Sequence, residues 1–494
     1  MMRLTRPTRS VPLLSALSVV SLLMLGTVPA RATATAQDTP RYIAIDLGTL
    51  GGPDSAPDDP GVSITESGIV VGSADTTALD PFPGDPGCLS SPCHVNDAFE
   101  WRNGVMTDLG ALHGYSSGIF ELNAAGVGAG VSETGMLDPL TGAPVTHAVM
   151  SENGRLIDLG TLGGYESWAM GINDRGQVAG YAANKIPDPY AQLFSPYPSA
   201  TQWRATIWQD GKPHDLGTLG GPDSLGPFLN EHGQVAGESF TNSAKNPVTG
   251  LPTMDPFLWQ NGVMKDLGTL GGAFGGTNWM NSAGEVVGQS DLAGDDTSHP
   301  FLWNGHRLVD LGTLGGDNGV ANWINDTGAV AGAADVPGSQ AHHGFVWTDG
   351  TMRDLPPTGS APCSNAYVVN TLGLAVGNDT DCQGHSLAAV LWEHGSAYDL
   401  NQLIGPSPLH LAEAFYINDR GEIATLATLP NGDMHVALLV PASLAAADGL
   451  ATTPGAHLAT TGQRAVPRSI PDPRDRYTSI RQRLATAIHS GLPY

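Results

Sequence analysis

The stretch His299-Pro300-Phe301-Leu302-Trp303-Asn304-Gly305-His306-Arg307-Leu308-Val309-Asp310-Leu311-Gly312-Thr313-Leu314-Gly315-Gly316 is followed, after Asp317-Asn318-Gly319, by Val320-Ala321-Asn322-Trp323-Ile324-Asn325-Asp326-Thr327-Gly328-Ala329-Val330-Ala331-Gly332. An apolar run ending in Trp303 meets a second run, Arg307 to Leu311, across Asn304-Gly305, a strong short-range hairpin signal. The second half repeats the device: Val320 to Ile324, the turn Asn325-Asp326-Thr327-Gly328, then Ala329 to Ala333. The stretch therefore predicts four short strands, A, B, C and D, with Gly-Thr-Leu-Gly-Gly as the B–C loop.

The Asp-Leu pair that opens this loop recurs at Asp46, Asp108, Asp158, Asp215, Asp266, Asp310, Asp354 and Asp399. Eleven residues separate the first strand-A position from that Asp in every complete copy, for example 299 to 310. From the Asp to the Gly of the strand-D Val-x-Gly element there are 22 residues in five successive copies, ending at Gly332. Self-similarity at about 44 residues specifies a repeat architecture. Four-stranded antiparallel units repeated in this way predict an all-β fold, a β-propeller of about eight four-stranded blades, in which radial repetition protects sheet edges. Seven blades or an open β solenoid are the alternatives. The chain enters at strand B (42–47) without an A strand and its last repeat element is an A strand (435–440) lacking a B partner, so strands from both termini are expected to complete one blade.

Strand A reads His-Pro-Phe-Leu-Trp or His-Gly-Phe-Val-Trp, and the C–D element reads Ile-Asn-Asp-x-Gly-x-Val-x-Gly. With Asp-Leu-Gly-Thr-Leu-Gly-Gly, this combination resembles the bacterial extracellular HAF repeat over residues 41–441. The resemblance implies export and a repeat architecture, and it brings no reaction, cofactor or catalytic residue. The strand-A His is replaced by Asp97, Arg204, Asp255 or Ala388 in half of the units, so a site needing every copy is not expected.

Arg3, Arg6 and Arg9, an apolar run from Val11 to Val28, and the small-residue sequence Ala30-Arg31-Ala32-Thr33-Ala34-Thr35-Ala36 form the pattern of a signal peptide over 1–36. The expected mature chain is secreted, extracellular or periplasmic, and has no spanning segment of its own. Its net charge moves from −26 to −30 once those arginines leave, which excludes a basic nucleic-acid footprint. In an oxidising compartment Cys88 with Cys93 and Cys363 with Cys382 are expected to form local disulfides. Residues 442–494 read as an Ala/Thr/Pro-rich linker and a basic tail with Arg474, Arg476, Arg481 and Arg483.

Each candidate site residue also has a structural reading. The strand-A tryptophans Trp101, Trp208, Trp259, Trp303, Trp347 and Trp392 are expected to pack blade against blade, as are Trp168, Trp279 and Trp323 of strand C. The recurrent Asp is expected to brace its Gly-rich turn, since eight carboxylates converging on one axis would repel. The strand-A histidines His147, His299, His343 and His435 are expected to hydrogen-bond locally, and the Asn-Asp-x-Gly turns to supply left-handed turn residues. Gly114-Tyr115-Ser116-Ser117-Gly118 mimics a nucleophile elbow but occupies the Gly-rich loop slot. No cofactor is expected; calcium is the alternative, at Asp291, Asp295 and Asp296 or at Asp379 and Asp381.

Length variation falls almost wholly between strand D and the next strand A, on four consecutive units. Those inserts carry Phe82, Tyr190, Phe194, Tyr197 and Trp203 among many prolines; insertions on one face of a repeat array often mark a binding face, and irregular covers over the blade ends are the alternative. The expected function is a non-catalytic recognition or structural module binding an extracellular glycan or protein on that face. The alternative is a secreted glycoside hydrolase or lyase, which needs two carboxylates at a set separation. A unit-specific acid with a raised pKa in the loop-face cleft would favour it.

Overall fold

The A–B turns show how the repeat starts each sheet. Asn103-Gly104, Asn153-Gly154, Asn261-Gly262 and Asp349-Gly350 all have positive φ at both residues, which two-residue hairpins of the right twist require. Asn304-Gly305 departs from this: only Gly305 is left-handed, and the hairpin widens so that Trp303 faces Leu308.

A computed structural model describes residues 42–447 apart from 59–60, 83–86, 195–198, 248 and 339–340. The expected signal segment and the tail beyond 447 lie outside the described residues. The architecture is all-β, built of antiparallel four-strand sets in the order C-D-A-B. One such set is Gly319–Ile324, Val330–Asp335, His342–Thr348 and Thr351–Leu355. A sheet thus takes strands C and D from one repeat and A and B from the next. Six sheets have four strands, and a seventh joins two sets into eight through one parallel pair, Met254 with Phe274.

The terminal strands pair as expected. Tyr42–Asp46 lies antiparallel to Met434–Pro441, with Tyr42 opposite Pro441 and Asp46 opposite Ala437, completing a set with His410–Ile417 and Ile423–Thr428. Residues 442–447, expected as the start of a linker, form a short helix.

Packing explains the invariant letters of the repeat. The strand-A phenylalanines Phe99, Phe257, Phe301 and Phe345 are fully buried. The Gly of Val-x-Gly permits strand C to approach strand D at a bulge: a Cβ on Gly332 would lie 2.1 Å from the Val320 carbonyl oxygen, and one on Gly237 1.8 Å from that of Leu225. Any side chain there forces the sheet apart. Trp101, Trp208, Trp303 and Trp392 are buried, and Trp208 and Trp392 donate their indole N–H to the carbonyls of Gly160 and Pro356. Trp259 and Trp347 are half-buried.

Cys88 bonds to Cys93 and Cys363 to Cys382. The second disulfide ties the start of strand C to the D–A turn of the same sheet.

Candidate functional site: an acid-mouthed cavity among the C–D turns

The repeated Asp sits in or at the end of strand B, at the sheet edge remote from strand C. Its Oδ1 accepts the backbone N–H of the Gly two residues on, at 2.7–2.9 Å for Asp46, Asp108, Asp158, Asp215, Asp266 and Asp310. Asp399 instead caps a short 3-10 helix through the Asn401 N–H. Four of these carboxylates also meet the strand-A histidine eleven residues away or across the terminal seam: His147 Nδ1 to Asp158, His299 to Asp310 and His343 to Asp354 at 2.9 Å, and His435 to Asp46 at 2.8 Å. Hydrogen bonds from the histidines and the Gly turn hold Asp46 and Asp158 below the ordinary carboxylate range despite the opposing desolvation. In two units the histidine is an acid. Burial, then the facing Asp108, raises Asp97 to about 6, and burial with Asp266 opposite raises Asp255.

Three of the five aromatic residues expected on the long-loop face act as covers and do not stand exposed. Tyr190, Phe194 and Trp203 are buried, packed with Phe240, Trp168, Tyr181 and Met254 in one apolar cluster. Tyr190 and Phe194 each meet the Phe240 ring edge-on, at 5.7 and 5.4 Å. Apolar area at the sheet ends drives the inserted segments down as covers. Phe82 is half-buried against Tyr115 at 6.1 Å, and Tyr197 lies outside the described residues. Exposed apolar side chains on this side include Leu79, Met136, Leu137 and Ile186 near the ends of long D strands, with Tyr115 and Tyr165 on the B–C loops.

The C–D turns converge instead. In Asn325-Asp326-Thr327-Gly328 only the Gly is left-handed, at φ 82°. The Asn side chain accepts the N–H groups of Thr327 and Ala329 at 3.0 and 2.9 Å and donates to the Asn370 carbonyl of the next repeat at 2.8 Å. The same donation runs Asn123 to Asn173, to Asn230, to Asn281, to Asn325, to Asn370, to Asn418 and finally to Thr65 of the first repeat. Sequence reasoning assigned these asparagines turn chemistry alone and missed this chain of bonds.

Inside that succession of turns lies a cavity of about 290 Å³ lined by residues of all eight repeats. The residue after each Asn, or after Thr65 in the first repeat, faces its mouth, and five of these are carboxylates: Glu66, Asp174, Glu231, Asp326 and Asp419. Each accepts a backbone N–H from an adjacent repeat, as Asp326 does from Ser282 at 2.9 Å and Glu66 from Asp419 at 2.9 Å. Deeper, Trp279, Trp323 and Tyr416 join the lining with Glu121, which is 7% exposed. Trp279 and Trp323 stack at 4.0 Å and Tyr416 meets Trp323 edge-on at 5.4 Å. Strand C carries a bulge immediately before Glu121, Trp279, Trp323 and Tyr416, the device that re-aims a side chain out of the pleat. Burial first, then the charges of Glu66, Glu121, Asp419 and Asp326, push the Tyr416 phenol above its ordinary value. It stays a protonated donor in a negative field. Trp279 and Trp323, expected as blade packing, therefore do that and also form the inner wall; Trp168 lies in the cluster under Tyr190 and Phe194.

Other buried acids brace loops. Asp223 accepts the Trp203 N–H and Asp54 the Met434 N–H, both at 2.8 Å. The adjacent serines, Ser55, Ser117, Ser167 and Ser224, bridge neighbouring sheets: Ser224 Oγ donates to the Gly217 carbonyl and accepts the Ala205 N–H. These serines stand nine residues after the repeat Asp in four copies, a spacing that could have revealed them. Ser117 of the elbow-like string is one of them. Burial raises Glu166 to about 8 and Glu238 to about 7; burial also raises Asp188, and burial followed by the charge of Asp188 raises Asp223. Of the acids expected as calcium ligands, Asp295 accepts the Ala273 N–H and Asp379 the Thr358 N–H. Among the described residues no group of three or more His, Cys, Asp or Glu side chains is placed to hold a metal ion.

No family model and no curated protein matches the chain. Among solved structures it is similar to TolB from Acinetobacter baumannii (13% identity, 53% of this chain and 63% of that one, TM-score 0.29). It is also similar to a puromycin-hydrolyzing peptidase of Mycobacterium tuberculosis (12% identity, 78% and 61%, TM-score 0.37) and to dipeptidyl peptidase 4 of Porphyromonas gingivalis (10% identity, 82% and 61%, TM-score 0.40). The chain spans less than two thirds of the length of each. These overlaps are too low to carry an argument about chemistry.

Proposed function

We propose that this chain is an exported, non-catalytic recognition module of the HAF-repeat type. In this reading it is a closed β-propeller of eight blades, and it takes its ligand in the axial cavity and not on the long-loop face. One observation carries the reading: residues of all eight repeats line one concave site whose inner wall is aromatic and whose mouth is polar. At about 290 Å³ it stands at the lower end of the size range of small-molecule sites, about 300–1,000 Å³. The strand-C bulge is common to the repeat, occurring also before Gly171 and Val368, and at Trp279 and Trp323 it places an aromatic side chain against the cavity. Thermal unfolding of residues 37–494 against a panel of sugars, amino acids, amines and small anions tests it. A ligand at a hundred times its dissociation constant adds about 2.7 kcal/mol. A rise abolished by Trp279→Leu supports the cavity; a rise indifferent to that change places the ligand elsewhere.

A second reading, a secreted glycoside hydrolase or lyase, is favoured by Glu166. Its carboxyl, raised to about 8 by burial, would be protonated at neutral pH, the state a general acid needs, and the raised Asp188–Asp223 pair belongs to neighbouring loops of the same face. Turnover of any polysaccharide by the purified chain, lost in Glu166→Gln, would establish that reading in place of the first.

A further inference from the structure

Resting on the axial cavity as the binding site, we propose that its ligand is an alkylated ammonium group, of the trimethylammonium class. The inner wall offers aromatic surface: Trp279 is partly exposed and stacked on Trp323, with Tyr416 beside them. A cation seated over the face of such a ring, within about 6 Å of its centroid, is attracted by the ring quadrupole, and quaternary ammonium ions are what aromatic cages recognise. Trp279 has Trp323 stacked on one side and Phe228 edge-on at 5.5 Å, so the contact falls to the part of its face left open to the cavity. Glu121 adds a carboxylate near that wall and five more stand at the mouth. Arg175, Arg420 and His232 follow three of those mouth acids in sequence, but none of them lines the cavity. Arg420 is turned to the Glu66 carbonyl and the Glu422 carboxylate.

The same wall argues against a small hydrated cation. A metal ion must exchange its water for several oxygen ligands converging within a few ångströms. Among the described residues no three carboxylate, His or Cys side chains converge in that way, and the mouth acids are held apart by their bonds to successive turns. A methylated ammonium is weakly hydrated, so aromatic faces replace its water at little cost. A neutral sugar would use the rings but gain nothing from the field of a chain of charge −26.

The test is isothermal titration of residues 37–494 with choline and with neohexanol, its uncharged carbon isostere, at low and high salt. Choline is expected to bind at least tenfold tighter than neohexanol and to weaken as salt rises, because the mouth acids are exposed. Trp279→Leu and Glu121→Gln are each expected to weaken choline on the order of tenfold, with circular dichroism melts confirming that both variants fold. Phosphatidylcholine vesicles carry the same group; pelleting with them, relieved by free choline, would assign the source to a lipid headgroup, and its absence to a free solute. Equal binding of choline and neohexanol, lost in Trp279→Leu, overturns the ligand class and leaves the cavity a binding site. No binding by either compound or by the wider panel overturns both.

Discussion

In seven repeats a single asparagine couples the repeat to the next. Asn325 accepts two N–H groups of its own turn and donates to the Asn370 carbonyl, and it is 5% exposed. Asn325→Ala leaves the Thr327 and Ala329 N–H groups without their acceptor, while the Asn370 carbonyl keeps its bond from the Gly373 N–H, and a buried group so stranded costs about 1–3 kcal/mol. A loss of about 2 kcal/mol in chemical denaturation is expected, and a loss under 0.5 would assign those groups to water. At the strand-A position, Asp255 faces Asp266 where four other units place a His–Asp pair. Asp255→His replaces repulsion by that clasp, and a gain of roughly 0.5–1 kcal/mol at pH 7 is expected from a half-exposed pair. Any destabilisation in the same assay would contradict the account of the clasp. The eleven-residue spacing held this pairing in plain sight, because strand A and strand B are antiparallel about a two-residue turn. The asparagine bonds were not legible, since a donor's partner in the next repeat leaves no local signature.

Elements were the most legible level. Asn-Gly turns and alternating apolar runs gave strands within one or two residues of those observed, as for 299–303 against Ser298–Trp303 and 320–324 against Gly319–Ile324. What escaped was the bulge in strand C, through which Trp279 and Trp323 line the cavity as well as packing on each other. Period-two alternation cannot register one inserted residue. The inserted loops allow two readings from sequence, a binding rim or covers over the blade ends, and Tyr190, Phe194 and Trp203 follow the second by closing over a sheet end. The two disulfides differ in the chain they constrain, with separations of 19 and 5 residues. Chain entropy then makes Cys363–Cys382 worth about 3 kcal/mol and Cys88–Cys93 about 2. Paired Cys→Ser variants compared by urea denaturation should preserve that order; the reverse order would mean that the short staple holds its cover down.

For the whole molecule, buried carboxyls set the pH response. Asp75 and Asp97 rise to about 6, Glu238 to about 7 and Glu166 to about 8, each chiefly through burial. A group whose pKa is raised by folding stabilises fully below its unfolded value, near 4, and that stabilisation is lost as pH rises through the folded value. The lowered Asp46 and Asp158 act oppositely, losing their contribution as pH falls below about 4. The melting temperature is expected to be highest near pH 4–5 and to fall steadily toward pH 8. A maximum at pH 7–8 would show that these carboxyls are ionised in the fold. Rising negative charge pushes in the same direction. The number of repeats and the pairing of the ends followed from counting strands. The axial site did not, because the residues that build it are scattered from Val62 to Asp419 and meet only when every repeat is in place.

The central claim is that the repeats close on themselves through Tyr42–Asp46 and Met434–Pro441, bringing eight turns round one cavity. Native-state hydrogen exchange read by mass spectrometry on the peptides covering 42–47 and 434–441 tests this most directly. Closure predicts that the interstrand amides of both peptides, including Leu47 N–H bonded to the Val436 carbonyl, exchange as slowly as those of Val330–Asp335 inside a sheet. Exchange of 42–47 within the first seconds, with the interior strands still protected, would contradict it.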